Sequence, residues 1–190
     1  LTISTKDDLT LKGNLFADSV TLESATGDVL LALVDDTVGS EMLSGIDAGE
    51  SGSITLRAYQ GQVIQASDSG VDPVKPDISD LSATATIVTD TLVIEAGEAV
   101  TAALAGIGGL QLDLDGADTR IRHEGDLLVN QLRSADSTIE ILAVGGLTLN
   151  DAILTGAESS NDLTLRTLSS FANADNDGNS DAIAGARSGI

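Results

Sequence analysis

Ile139-Glu140-Ile141-Leu142-Ala143-Val144-Gly145-Gly146-Leu147-Thr148-Leu149 places an apolar–polar–apolar triplet on each side of a glycine pair. The triplet recurs as Leu9-Thr10-Leu11, Val20-Thr21-Leu22, Ile54-Thr55-Leu56 and Leu163-Thr164-Leu165, with Leu127-Leu128-Val129 as an all-apolar version, in company with Gly, Asp or Asn. Three residues are too few for a strand to stand alone in water. They suffice when a like strand lies directly above and below, so that each turn of the chain buries its side chains against its neighbours. The expected fold is therefore all-β: a β-solenoid with irregular loop insertions, forming one segment over residues 1–190.

Composition agrees with a narrow aliphatic core. Hydrophobic residues make up 42% of the 190 residues, yet aromatics only 2%, namely Phe16, Tyr59 and Phe171. A channel filled by stacked Leu, Ile, Val and Ala needs no aromatic bulk. The 20 glycines, with many Asp, Asn and Ser, supply turns for many short strands. Pro73 and Pro76 mark a loop between strands.

Nine basic residues against 30 acidic ones give a formal charge of −21. Nucleic acid is excluded as a partner, because phosphate binding needs clustered Lys and Arg. An anionic membrane surface would repel the chain, and the weakly polar run from Ala99 to Leu112 is too short to span a bilayer. What the charge fits is a solvated outer face, with some attraction for divalent cations. The absence of cysteine does not decide between cytosol and export. Opening at Leu1 in mid-pattern and closing at Gly189-Ile190, the chain reads as part of something longer.

Self-similarity extends beyond the triplets. Ser53-Ile54-Thr55-Leu56-Arg57-Ala58 echoes Asp162-Leu163-Thr164-Leu165-Arg166-Thr167, and Asp8-Leu9-Thr10-Leu11 echoes Gly146-Leu147-Thr148-Leu149. These echoes predict a long, degenerate repeat. Strict alternation in Leu110-Gln111-Leu112-Asp113-Leu114 and in Thr119-Arg120-Ile121-Arg122 predicts strands, the second with Ile121 inward and both arginines outward. The best helical candidate is Glu98 to Ala105, ended by Gly106. Loops leaving the coil are expected near 35–50, 67–82 and 171–183.

The succession of Gly-Asp-apolar strands, the Leu92-Val93-Ile94-Glu95-Ala96-Gly97 beat and the acidic loop near the C-terminus together resemble the repeats of filamentous-haemagglutinin-like adhesins and related giant bacterial surface proteins. That resemblance covers nearly the whole chain. It implies a right-handed parallel β-helix, a cell-surface or extracellular location, and a role in adhesion or in building an extracellular structure. The Gly-Gly-x-Gly-x-Asp nonapeptides of calcium-roll toxins are absent.

One motif points to chemistry. Asn173, Asp175, Asp177, Gly178, Asn179 and Asp181 fall on positions 1, 3, 5, 6, 7 and 9 of a calcium loop. Alternate side-chain oxygens would face one side of a tight turn, Gly178 would allow the bend, and Asn179 would offer its backbone carbonyl. Position 12 is Ala184, where a bidentate Glu would complete an EF-hand. The expectation is a weak calcium site, and the same pattern is compatible with an Asx turn that holds no metal.

Catalytic readings find little support. Arg120, Arg122, His123 and Glu124 form the only adjacent basic–acidic cluster, and charge pairing across neighbouring strands accounts for it. His123 is the sole histidine, so a histidine-based metal centre cannot be assembled within the chain. No nucleophile elbow, phosphate loop or dinucleotide fingerprint occurs. Threonines are too scattered for an ice-binding array. The expected function is a non-catalytic rod or spacer of a large exported protein. Its partners would be further coils of its own chain, or copies stacked end to end. The alternatives are an adhesive module, whose loops near 35–50 and 67–82 meet a surface receptor or glycan, and a degenerate polysaccharide-acting β-helix.

Overall fold

Apolar residues at every second position give each strand one inward row, and short strands with one such row must find neighbours on both edges. The computed structural model describes residues 1–31, 44–68, 78, 81–115, 118–135, 138–155, 162–173 and 187–188. In chain order the strands are β1 (Thr2–Thr5), β2 (Leu9–Leu11), β3 (Asn14–Phe16), β4 (Ser19–Ser24), β5 (Val29–Leu31), β6 (Ser44–Ala58), β7 (Val63–Ile64), β8 (Ala66–Asp68), β9 (Leu81–Ala83) and β10 (Ala85–Ala96). There follow β11 (Val100–Leu104), β12 (Ile107–Asp115), β13 (Thr119–His123), β14 (Leu127–Ala135), β15 (Thr138–Ala143), β16 (Leu147–Leu149), β17 (Ala152–Thr155), β18 (Asp162–Thr167), β19 (Phe171–Asn173) and β20 (Arg187–Ser188). Among the described residues there is no α-helix.

The chain shuttles between two parallel sheets. The first runs β1-β4-β6-β10-β12-β14-β16-β19, with β3 beside β6 and β17 beside β14; the second runs β2-β5-β7-β11-β13-β15-β18-β20. Register partners lie 18 to 20 residues apart where nothing is inserted: Thr2 with Thr21, Leu92 with Leu110, Thr119 with Ile139. Insertions widen the step without breaking the register, so Val20 still meets Ile54 and Ile54 still meets Leu92. All seven triplets lie in these parallel strands.

In-register pairing stacks like on like. One column of the first sheet reads Leu22, Leu56, Ile94, Leu112, Leu132, Ala152. One column of the second reads Leu9, Val29, Val63, Val100, Thr119, Ile139, Leu163. Buried residues of both sheets belong to a single hydrophobic cluster. Each coil buries too little apolar surface to be stable alone, and the stack supplies the rest.

Three expectations need correction. The long echoes do not mark equivalent positions: Ile54–Leu56 lies in the first sheet and Leu163–Leu165 in the second, while Leu9–Leu11 lies in the second and Leu147–Leu149 in the first. Triplets of both sheets face one core, so the same pattern arises without a common place in the repeat. Glu98 to Ala105 contains no helix, because Val100, Ala102 and Leu104 alternate into the core and β11 pairs on both edges. The loop expected at 35–50 is cut short, since residues 44–50 form the first half of β6, paired with β3 and β10. Strand also reaches Asp68 and resumes at Leu81 in the second expected loop, and covers Phe171–Asn173 in the third.

The insertion between β7 and β10 opens and closes with an antiparallel hairpin, β8 with β9. Ala66, Ile78 and Leu81 pack with Ala103 and Leu142 in a second, smaller cluster on the outer face of the second sheet. Gln65, 1% exposed, ties down the point of departure. Its amide nitrogen donates to Ala85 O and its Oε1 accepts the Ala103 N–H at 2.8 Å. Thr84, at the return, donates its hydroxyl to Leu31 O and Gln65 O.

Candidate functional site

The turns that feed the strands carry a repeated polar device. Leu9 N–H donates to Asp28 O at 2.8 Å, and the Asp28 N–H donates back to Asp8 Oδ1 at 3.0 Å. One coil on, Val29 N–H donates to Gln62 O and Gln62 N–H to Asp28 Oδ1, both at 2.8 Å. The same exchange joins Leu127, Gly146 and Asp126, at 2.8 and 2.7 Å. An aspartate just before an inward apolar residue thus satisfies a backbone donor where the sheet ladder has not yet begun. The glycines beside it leave room for the next coil. A Cβ on Gly61 would lie 2.6 Å from Gly27 C, and one on Gly145 2.5 Å from Gly125 C. This device was not drawn from the sequence, though Gly27-Asp28-Val29 and Gly125-Asp126-Leu127 carry its signature.

Outward positions form charged and amide columns. Arg57 lies between Glu23 and Glu95 in register and makes a bidentate pair with Glu95, at 2.8 and 3.1 Å. Glu23 approaches at 3.9 Å. The Glu95 hydrogen bonds hold the Arg57 guanidinium above its ordinary pKa. Asn150 donates to Asn130 Oδ1 at 3.2 Å across one coil. A groove of about 240 Å³ is lined by Gly108, Asp126, Leu128, Gly146, Thr148 and Ser170.

Of the calcium-loop residues, Asn173 ends β19 and stands beside Leu149, while Asp175, Asp177, Gly178, Asn179 and Asp181 lie outside the described residues. Among the described residues no three His, Asp or Glu side chains gather as a metal-holding group.

The basic–acidic cluster divides across the sheet. Arg120 and Arg122 point outward and are partly covered, with Ile121 buried between them as its alternation predicted. Arg122 is ion-paired with Glu124 and Arg166 with Glu140, the latter at 3.2 Å. His123 goes the other way, into the core, at 3% exposure. Its Nδ1 lies 3.4 Å from Gly125 O, its Nε2 has no partner among the described residues, and burial pushes its pKa below the ordinary value. The inward turn of His123 follows from that of Ile121 two residues earlier.

At the start of the stack, β1 and β2 each have a strand on one edge only among the described residues. Leu1 and Ile3 are 56% and 38% exposed, whereas Val20 and Leu22 in the next coil are fully covered. Compared with known protein families, curated proteins and solved structures, the chain matches none.

Proposed function

We propose that the chain is a right-handed parallel β-helix and serves as a non-catalytic, rigid segment of a large exported bacterial surface or filament protein. The observation that carries this reading is the set of apolar columns that run through both sheets across insertions that widen the coil step, with local register shifts near Thr89 and Leu110. Such a stack is stiff along its axis, because every coil is held by backbone ladders and by interlocked side chains on each side. Right-handedness follows the general preference of parallel crossovers. The two long strands β6 and β10 pair along their lengths with register shifts near Thr89; the first half of β6 also pairs with β3, and the second halves of β6 and β10 pair with β4 and β12. In a three-sided coil these two halves would occupy separate faces, which is how the reading accounts for the split pairing.

The partner in this reading is a further coil on the open edge of β1 and β2, from the same polypeptide or from a second copy. Electron microscopy of the chain over a range of concentrations tests it. Rods of uniform width that lengthen with concentration are expected; discrete particles at every concentration would contradict end-to-end stacking. Extracellular placement goes with the reading and is tested by locating the protein in fractionated cells.

A second reading, an adhesive module, draws on Phe16 and Tyr59, two of the three aromatic residues, which stand 75% and 54% exposed. Exposed aromatics are favoured anchors for receptors and glycans. Glycan-array binding that disappears in F16S or Y59S would favour it over the spacer.

A further inference from the structure

The inward row of β13 reads Thr119, Ile121, His123, set between Val100, Ala102, Leu104 of β11 and Ile139, Ile141, Ala143 of β15. Thr119 and His123 are 1% and 3% exposed, and both Thr119 Oγ1 and His123 Nε2 lack a hydrogen-bond partner among the described residues. Unsatisfied polar atoms in an apolar stack cost stability, so the inward row of β13 is a weak one between two fully apolar inward rows.

The histidine makes this weakness conditional. With the proton on Nδ1, directed at Gly125 O, the neutral ring leaves only an acceptor lone pair at Nε2 without a donor among the described residues. Adding a proton creates an N–H donor and a unit charge facing apolar neighbours. The register partners Leu104 and Ala143 offer no acceptor side chain, and the buried residues of β12 and β14 are aliphatic apart from Ser134. The charged groups nearby are Glu124 and Asp126 in the following turn, and Arg122, which is engaged with Glu124; on β15 Glu140 is engaged with Arg166. We propose that His123 is an acid-release point: protonating its ring frees β13 from β11 and β15, so the stack parts at one chosen coil while the coils beyond it hold.

The sign follows from burial, which lowers the folded-state value against the weaker pull of Gly125 O, Glu124 and Asp126. An opened coil then takes up the proton more readily than the closed one. The stabilisation is complete above the ordinary histidine value of about 6.5 and is lost as pH falls below it, down to the folded-state value.

Amide exchange of the whole chain at pH 7.5 and pH 5.0, corrected for intrinsic rates, tests the proposal. In β11, β13 and β15 the opening constant should rise by up to about tenfold per pH unit below about 6.5, while Leu22–Ser24 and Leu56–Ala58 stay protected. H123L should abolish the response. Equal protection at both pH values, or an equal response in H123L, would overturn it. Should H123L fail to fold, NMR titration of the wild-type imidazole decides, since the chain has a single histidine. A native value below about 6.5 supports the proposal, and one at or above it refutes it.

Discussion

Asp28 stands on both sides of one exchange: its backbone N–H donates to Asp8 Oδ1 at 3.0 Å, and its own Oδ1 accepts the N–H of Gln62 at 2.8 Å, 34 residues further on. One residue, through its backbone N–H and its carboxylate, therefore links three consecutive coils. Asp126 repeats the acceptor half of the arrangement with the N–H of Gly146. The turn acids of this chain are thus tied into the stack, and part of its high negative charge sits where carboxylates meet backbone donors.

Removing that carboxylate leaves a backbone donor at the strand entry without its acceptor. D28A and D126A should each lower stability by about 1–2 kcal/mol in urea unfolding. D28N keeps an acceptor oxygen and should recover most of the loss. Equal losses in D28A and D28N would mean that charge, and not the hydrogen bond, is what the turn uses.

Gly145 and Gly146 are adjacent but are held to different standards. A Cβ on Gly145 would lie 2.5 Å from the backbone of Gly125, which cannot yield without parting two coils. On Gly146 the nearest atom would be Ser170 Oγ at 3.0 Å, a hydroxyl free to rotate. G145A should cost about 2–3 kcal/mol and G146A less than about 1 kcal/mol, read from the same denaturation curves.

The calcium expectation rests on the C-terminal aspartate loop alone. If Asp175, Asp177 and Asp181 supply oxygens as their spacing suggests, millimolar calcium should raise the melting temperature of the wild type and leave D177A unchanged. Magnesium at equal concentration should do less, because it demands a tighter octahedral shell. No calcium-dependent shift in the wild type would reduce the loop to an acidic turn.

Much of the architecture could be read in the chain because the pattern is local. The triplets, the alternation around Leu112 and the outward arginines around Ile121 all depend on period two alone. What lay beyond reach was which sheet each triplet joins. Ile54–Leu56 and Leu163–Leu165 look alike because both face the same core, and only the tertiary ladder separates them. Glu98 to Ala105 stands out as the best helical candidate because Ala102 and Ala103 favour helix intrinsically, while the strand state of β11 is imposed by β7 and β13 on either edge. Gln65 gives no local sign of its role, since its partners Ala85 and Ala103 lie 20 and 38 residues away. Arg57 likewise meets Glu95 only through the register of β6 on β10.

The central claim, that successive coils stack in register along one axis, is tested most directly by a distance between its two ends. Thr10 and Thr164 are joined by one outward column of the second sheet: Thr10, Leu30, Ile64, Thr101, Arg120, Glu140, Thr164. With no native cysteine, T10C/T164C can carry a pair of spin labels cleanly. Six strand spacings place the two backbones about 29 Å apart. Pulsed dipolar spectroscopy should return one narrow distribution centred near about 29 Å, widened only by the label linkers. A broad distribution, or a peak under about 20 Å, would contradict the stacked-coil account.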